Sequence, residues 1–129
     1  MAKDLQRIYY AEDEDDIRLI AKLALETFGD FIVEANESGV GIVEKATDFK
    51  PDLFLLDVMM PNVDGIAAYK ALADAPELKD IPVVFITAKV QPDEVNKFRE
   101  MGVADIISKP FDPQNLTERL KEIWNRYNE

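Results

Sequence analysis

The chain alternates between two hydrophobic periods. Short apolar runs, Ile8-Tyr-Tyr-Ala11, Phe31-Ile-Val33, Leu53-Phe-Leu-Leu56, Ile81-Pro-Val-Val-Phe-Ile86 and Ile106-Ile107, are separated by stretches whose apolar residues recur every three or four positions. The runs read as strands and the periodic stretches as helices. The first helix places Ile17, Ile20, Ala21, Ala24, Leu25 and Phe28 on one side and closes at Gly29. The second carries Val40, Val43, Ala46 and Thr47 and ends before Pro51, and the third runs from Ile66 to Ala75, stopped by Pro76. The fourth opens on Pro92 with Asp93 and Glu94 behind it, as a positive helix N-terminus prefers, carries Val95, Phe98 and Met101, and ends at Gly102. Asp112-Pro113 supplies an N-cap and first turn for a last helix carrying Leu116, Leu120, Ile123 and Tyr127. Trp124 and Tyr127 are expected to pack against or edge that helix, and Tyr9 and Tyr10 to belong to the core and rim of the first strand.

Five strands alternate with five helices, and the middle strands are apolar on both faces. That is the pattern of a parallel sheet covered on both sides. No linker, repeat or shift in composition divides the chain, so residues 1–129 are expected to form one three-layer α/β domain. In such a sheet the residues that follow each strand collect along the carboxyl edge, where α/β proteins bind ligands. Glu12 to Asp16 follow the first strand, Asp57 the third, Thr87 the fourth and Ser108-Lys109-Pro110 the fifth. If the winding direction reverses after the second strand, right-handed crossovers make strands one and three neighbours. Glu12, Asp13 and Asp57 then converge.

Two carboxylates at 4 Å repel by about 4 kcal/mol at an effective dielectric near 20. Either some of them protonate or a divalent cation sits among them. An oxygen-only donor set with few protein ligands suits Mg²⁺. Lys109 adds a mobile positive charge and Thr87 a hydroxyl. A carboxylate, a metal, an amine and a hydroxyl around one pocket describe phosphoryl transfer by positioning and charge neutralisation, with Asp57 as the nucleophile.

Composition narrows the choice of chemistry. There is no cysteine and no histidine, which removes thiol catalysis, disulfides, thiolate metal sites and the usual general base together. The chain carries 26 acidic and 15 basic residues, a net charge of −11, which disfavours nucleic acid and anionic membranes as partners. The N-terminal residues lack the apolar stretch of a signal peptide and no apolar run approaches a membrane span, so a soluble cytoplasmic protein is expected.

Four motifs together carry a resemblance: Glu12-Asp13, Asp57-Val-Met-Met-Pro-Asn-Val-Asp-Gly65, Phe85-Ile-Thr87-Ala88 and Ser108-Lys109-Pro110-Phe111. In this order, each at the end of its strand, they make the chain resemble the receiver domain of two-component response regulators over nearly its whole length. The resemblance implies a doubly wound five-stranded sheet of order 2-1-3-4-5, the flavodoxin-like order. It implies that Asp57 accepts a phosphoryl group from a histidine kinase or a small phosphodonor. It further implies that Asp13, Asp57 and the backbone carbonyl of Met59 ligate Mg²⁺, that Glu12 acts on the metal through water, and that Thr87 and Lys109 engage the phosphoryl oxygens. The Lys109–Pro110 bond is cis in most of the family. The protein is then a monomer or weak dimer and not an enzyme beyond its own phosphorylation and dephosphorylation. With no further domain after Glu129 in this sequence, output is expected through protein contact on the face of the fourth and fifth helices and fifth strand.

Two alternatives share this fold: a phosphorelay intermediate that passes the group to a histidine phosphotransfer protein, and a receiver cut from a larger multidomain regulator. An aspartyl-phosphate phosphatase typically has a second aspartate two residues after the nucleophile, where this chain has Met59. A flavin carrier needs a Ser/Thr/Gly-rich phosphate loop where this chain has Glu12-Asp-Glu-Asp-Asp16. Family members commonly carry Tyr or Phe as a switch residue at the position of Ile106, and an isoleucine has no ring to flip. Met59 and Lys89 occupy positions that tune phosphoryl lifetime in the family.

Overall fold

The computed structural model describes residues 4–88 and 91–128, which places Lys89 and its expected role outside the described residues. The elements run β1 (Arg7–Ala11), α1 (Asp15–Phe28), β2 (Ile32–Asn36), α2 (Ile42–Phe49), β3 (Leu53–Asp57), α3 (Gly65–Ala73), β4 (Val83–Thr87), α4 (Pro92–Met101), β5 (Asp105–Ser108) and α5 (Pro113–Tyr127). The strands form one parallel sheet of order β2-β1-β3-β4-β5, so the winding reverses after β2 as the carboxylate argument requires. Ala11 stands in register with Leu56, Asp57 with Ile86 and Thr87 with Ser108. Every residue of β3 and β4 is buried, which is why these strands read as unbroken apolar runs.

Alternation along the strands divides the core into two layers. Ile8, Tyr10, Leu55, Ile86 and Ile107 face α1 and α5, where Leu25, Leu116 and Leu120 meet them. Tyr9, Phe54, Phe85 and Ile106 face the opposite layer, with Ala46, Leu72 and Phe98. Phe85 stacks edge-on against Phe98 with ring centroids 5.1 Å apart.

The helix ends follow from local chemistry. Asp64 caps α3 by accepting from the Ala67 N–H at 2.8 Å, and Asp112 caps α5 by accepting from the Gln114 N–H at 2.9 Å. At Gly102, φ is 111°, and an added Cβ would lie 2.6 Å from the Tyr69 hydroxyl oxygen, which donates to the Met101 carbonyl. Both the backbone and the space require glycine there. At Gly65 a Cβ would fall 2.6 Å from the Asp57 carbonyl oxygen, so this glycine lets α3 start directly against the end of β3.

Several expectations are corrected. Val40 lies ahead of α2, which begins only at Ile42 after Gly41 takes the left-handed conformation, and Val40 is exposed. Ile20 and Phe28 are also exposed, because α1 meets the sheet and α5 through Ala21, Ala24 and Leu25. Leu19 and Leu23 join them on the outside, giving α1 a second apolar stripe. Tyr127 is half exposed, its hydroxyl drawn to the Asp80 carbonyl at 2.8 Å. The expected second strand at 31–33 starts one residue later and runs on through Glu34-Ala35-Asn36, and α3 stops at Ala73. Tyr9 and Tyr10 are both wholly buried, and Trp124 is buried beside α5's other core residues.

Candidate phosphoacceptor site

The carboxyl edge gathers the predicted acids. Glu12 and Asp13 follow β1, and Asp57 ends β3 beside it; Glu12 is fully buried, Asp57 is 2 % exposed and Asp13 is exposed. One carboxylate oxygen from each of the three lies within 4.8 Å of the others. The hard oxygen donors, their number and the open side offered by Asp13 fit Mg²⁺. The backbone orders two of them: the Glu14 N–H donates to Glu12 Oε2 at 3.2 Å, and the Met59 N–H donates to Asp57 Oδ1 at 3.2 Å. Met59 therefore reaches the site through its main chain while its side chain is exposed.

Lys109 closes the cluster from β5's C-terminal end. Its Nζ stands 2.9 Å from Asp57 Oδ2 and 2.8 Å from Glu12 Oε1. Only the contact with Asp57 has hydrogen-bond geometry, so Glu12 Oε1 has the charge contact without an aligned donor. The Lys109–Pro110 bond is cis, and the Lys109 N–H donates to the Thr87 carbonyl at 3.0 Å. Thr87 ends β4 next to Ile86, Asp57's register partner, and is buried. Thus the six predicted site residues, Glu12, Asp13, Asp57, Met59, Thr87 and Lys109, all belong to the ends of four adjacent strands, β1, β3, β4 and β5, or the turns directly after them.

Electrostatics reflects the crowding. Burial above all, then the neighbouring Asp57 carboxylate, raises the Glu12 pKa to about 7, with Lys109 acting the other way. For Lys109, burial works to lower its pKa, but the close carboxylates of Glu12 and Asp57 outweigh it and the net shift is upward. An acid whose folded pKa lies above its unfolded value of 4.5 binds more protons when folded. The metal-free protein should therefore lose stability as pH rises from about 4.5 to about 7. Thermal melts at pH 5 and pH 8 check this. Mg²⁺ should stabilise the protein more at pH 8 than at pH 5, and Glu12→Gln should flatten the difference. A Glu12→Gln profile that parallels the parent removes Glu12 as the cause.

One charged cluster escapes a reading of the sequence. Asp105, 1 % exposed on edge strand β5, accepts from Arg99 of α4 at 3.1 Å and from Arg119 of α5 at 3.0 Å, and also from Arg126 of α5 and the Ile106 N–H. The arginines arrive from both sides of the sheet and cover an edge that pairs only with β4. Each falls on a helix surface in the sequence pattern, and nothing in their spacing points to a shared carboxylate. The only signal was an aspartate next to Ile106-Ile107, inside an otherwise apolar strand.

The comparisons with known proteins agree with this geometry. The family model for the response regulator receiver domain matches residues 8–121. The phosphate regulon transcriptional regulatory protein PhoB of Pseudomonas aeruginosa is 38 % identical over 119 residues, 92 % of this chain and 52 % of that protein. The transcriptional regulatory protein CseB of Streptomyces coelicolor is 33 % identical over 124 residues, 96 % of this chain and 51 % of its own length. The chain thus spans about half the length of these curated relatives. Among solved structures, a putative response regulator from Chloroflexus aurantiacus superposes with a TM-score of 0.83 at 27 % identity, covering 96 % of this chain and all of that one. A chemotaxis response regulator of Vibrio cholerae shares the fold with a TM-score of 0.84 at 24 % identity, covering 92 % of this chain and 98 % of that chain.

Proposed function

The chain belongs to the response regulator receiver domain family of two-component signalling, and from that premise we propose that Asp57 is its phosphoacceptor and that residues 1–129 act as one signalling receiver. The observation that carries the proposal is the buried Asp57 carboxylate, hydrogen-bonded by Lys109 at 2.9 Å and grouped with Glu12 and Asp13 at the mouth of the sheet. An Asp57 oxygen attacks the phosphorus of a phosphohistidine or small acyl phosphate. The new O–P bond forms as the bond from phosphorus to the donor nitrogen or oxygen breaks, and the leaving group departs with that electron pair. An ionised carboxylate needs no general base, which accounts for a site built without histidine. Lys109 pairs with the transferred oxygens and Thr87 donates its hydroxyl to them. Glu12, Asp13, Asp57 and the Met59 carbonyl would hold Mg²⁺, whose bound charge offsets the negative charge gathered there.

A protein donor has a surface to approach on. Ile17, Ile20, Phe111 and Pro113 line an apolar hollow of about 420 Å³ that ends at Lys109, and Leu23 and Phe28 extend it along α1. Exposed apolar side chains grouped beside the acceptor suit an apolar helix of the donor. Ile20→Glu is expected to slow transfer from the cognate kinase at least tenfold while leaving phosphorylation by acetyl phosphate within twofold. Equal loss with both donors would remove the docking role. Output is assigned to the face of α4, β5 and α5, where Ile106 is already packed inward against Phe85 and Phe98. Incubation with acetyl phosphate and Mg²⁺ followed by intact mass tests the whole reading, with a gain of one phosphoryl group expected and no gain overturning it.

A further inference from the structure

The hydroxyl of Tyr10 is wholly buried and has no hydrogen-bond partner among the described residues. Leaving a buried donor unsatisfied is costly, so such a group calls for a reason. Tyr10 and Glu12 lie two residues apart on β1 and its continuation, and therefore on the same face of the sheet, the face that Leu55 and Ile86 share. Glu12 Oε1 is the second orphan: it is buried, and among the described residues it accepts no hydrogen bond, the Lys109 ammonium at 2.8 Å being an unaligned charge contact. An unused donor and an unused acceptor thus lie on one strand face, about 7 Å apart along the backbone, a span that a phenol leaning along the strand covers. Tyr9 is the control. Its hydroxyl is also unpartnered, but it faces the other layer, where its ring meets Phe49 and Phe54.

We propose that Tyr10 is a positioning residue for Glu12, its hydroxyl idle in the unphosphorylated protein and donating to Glu12 Oε1 when Lys109 shifts to the phosphoryl oxygens. The inference rests on Asp57 being the acceptor. Phosphorylation adds negative oxygens next to Lys109, which now stands between Asp57 and Glu12. As the ammonium follows them, Glu12 loses its charge contact, and Tyr10 supplies the replacement donor. Burial first, and then the charges of Glu12 and Asp57, push the Tyr10 phenol far above its usual pKa, so it stays an O–H donor at any working pH.

The test uses Tyr10→Phe, which keeps the ring and the fold, with beryllofluoride and Mg²⁺ as the phosphoryl mimic. Removing an idle buried hydroxyl should raise the Tm of the metal-free protein by roughly 3–8 °C. The same change should weaken beryllofluoride binding, measured calorimetrically at saturating Mg²⁺, by roughly five- to twentyfold. In a Glu12→Ala background the effect of Tyr10→Phe on binding should shrink to less than twofold, because no side-chain acceptor remains at position 12. Binding within twofold of the parent, or a lowered Tm, overturns the assignment. A parent protein that fails to bind the mimic overturns the acceptor reading as well, which separates the two failures.

Discussion

Asp57→Asn is expected to abolish phosphoryl acceptance from acetyl phosphate and from a kinase, to below a hundredth of the parent rate. The amide keeps the size of the carboxylate and the place at the end of β3, where Gly65 leaves room against its carbonyl. It lacks the nucleophilic anion, and it removes one of the three carboxylates grouped within 4.8 Å. Stability should move in the opposite direction. Neutralising one member of a carboxylate cluster relieves repulsion, so the metal-free variant should melt at or above the parent temperature. Loss of acceptance together with a retained Tm identifies a chemical defect. A variant that still gains a phosphoryl group would show that another residue accepts it.

The second large effect lies far from that chemistry. Asp105→Ala is expected to destabilise the protein by about 2–3 kcal/mol, a fall in Tm of roughly 6–12 °C. Removing the buried carboxylate leaves Arg99, Arg119 and Arg126 without their common acceptor and the Ile106 N–H without its side-chain contact. The figure stays below the usual cost of breaking a buried ion pair because the arginine side chains are 40–56 % exposed and can return to water. For the same reason each single Arg→Ala change should cost less than about 1 kcal/mol. Amide exchange should report the loss first in α4, where Phe98 is the one buried residue and which Arg99 ties to β5. If Asp105→Ala melts within 2 °C of the parent, the cluster does not hold this edge together.

The alternation of strands and helices and the gathering of strand ends along one edge were legible from backbone rules, whereas the strand order that makes Glu12, Asp13 and Asp57 converge came from the family resemblance. Strand ends share an edge in a parallel sheet, and a residue just beyond an apolar run has one place to go. Lys109 and Thr87 were placed by the same rule. What escaped depends on side-chain length and on which face of a helix turns inward. Ile20 and Phe28 fit the helical period as well as Leu25 does, but small Ala21 and Ala24 set the line of closest approach and leave the larger residues outside. Asp105 is held by long side chains from two helices, whose meeting point is fixed only by the packing of both on β5. Tyr10 reads as core in the sequence, and is core; that its hydroxyl lacks a partner is visible only once every neighbour is in place. Ile106 sits inward at 8 % exposure and carries no ring, so an aromatic side chain turning inward is not available at this position.

The central claim is that a phosphoryl group becomes bonded to the Asp57 carboxylate, and hydride trapping measures that bond directly. The protein is phosphorylated with acetyl phosphate and Mg²⁺, treated with labelled borohydride, digested and sequenced by mass spectrometry. An acyl phosphate is reduced to the alcohol, so the label should appear as homoserine at position 57 and nowhere else, and should vanish when Mg²⁺ is withheld. Label at Asp13 or Glu12, or a phosphorylated protein that yields no label at position 57, would contradict the account.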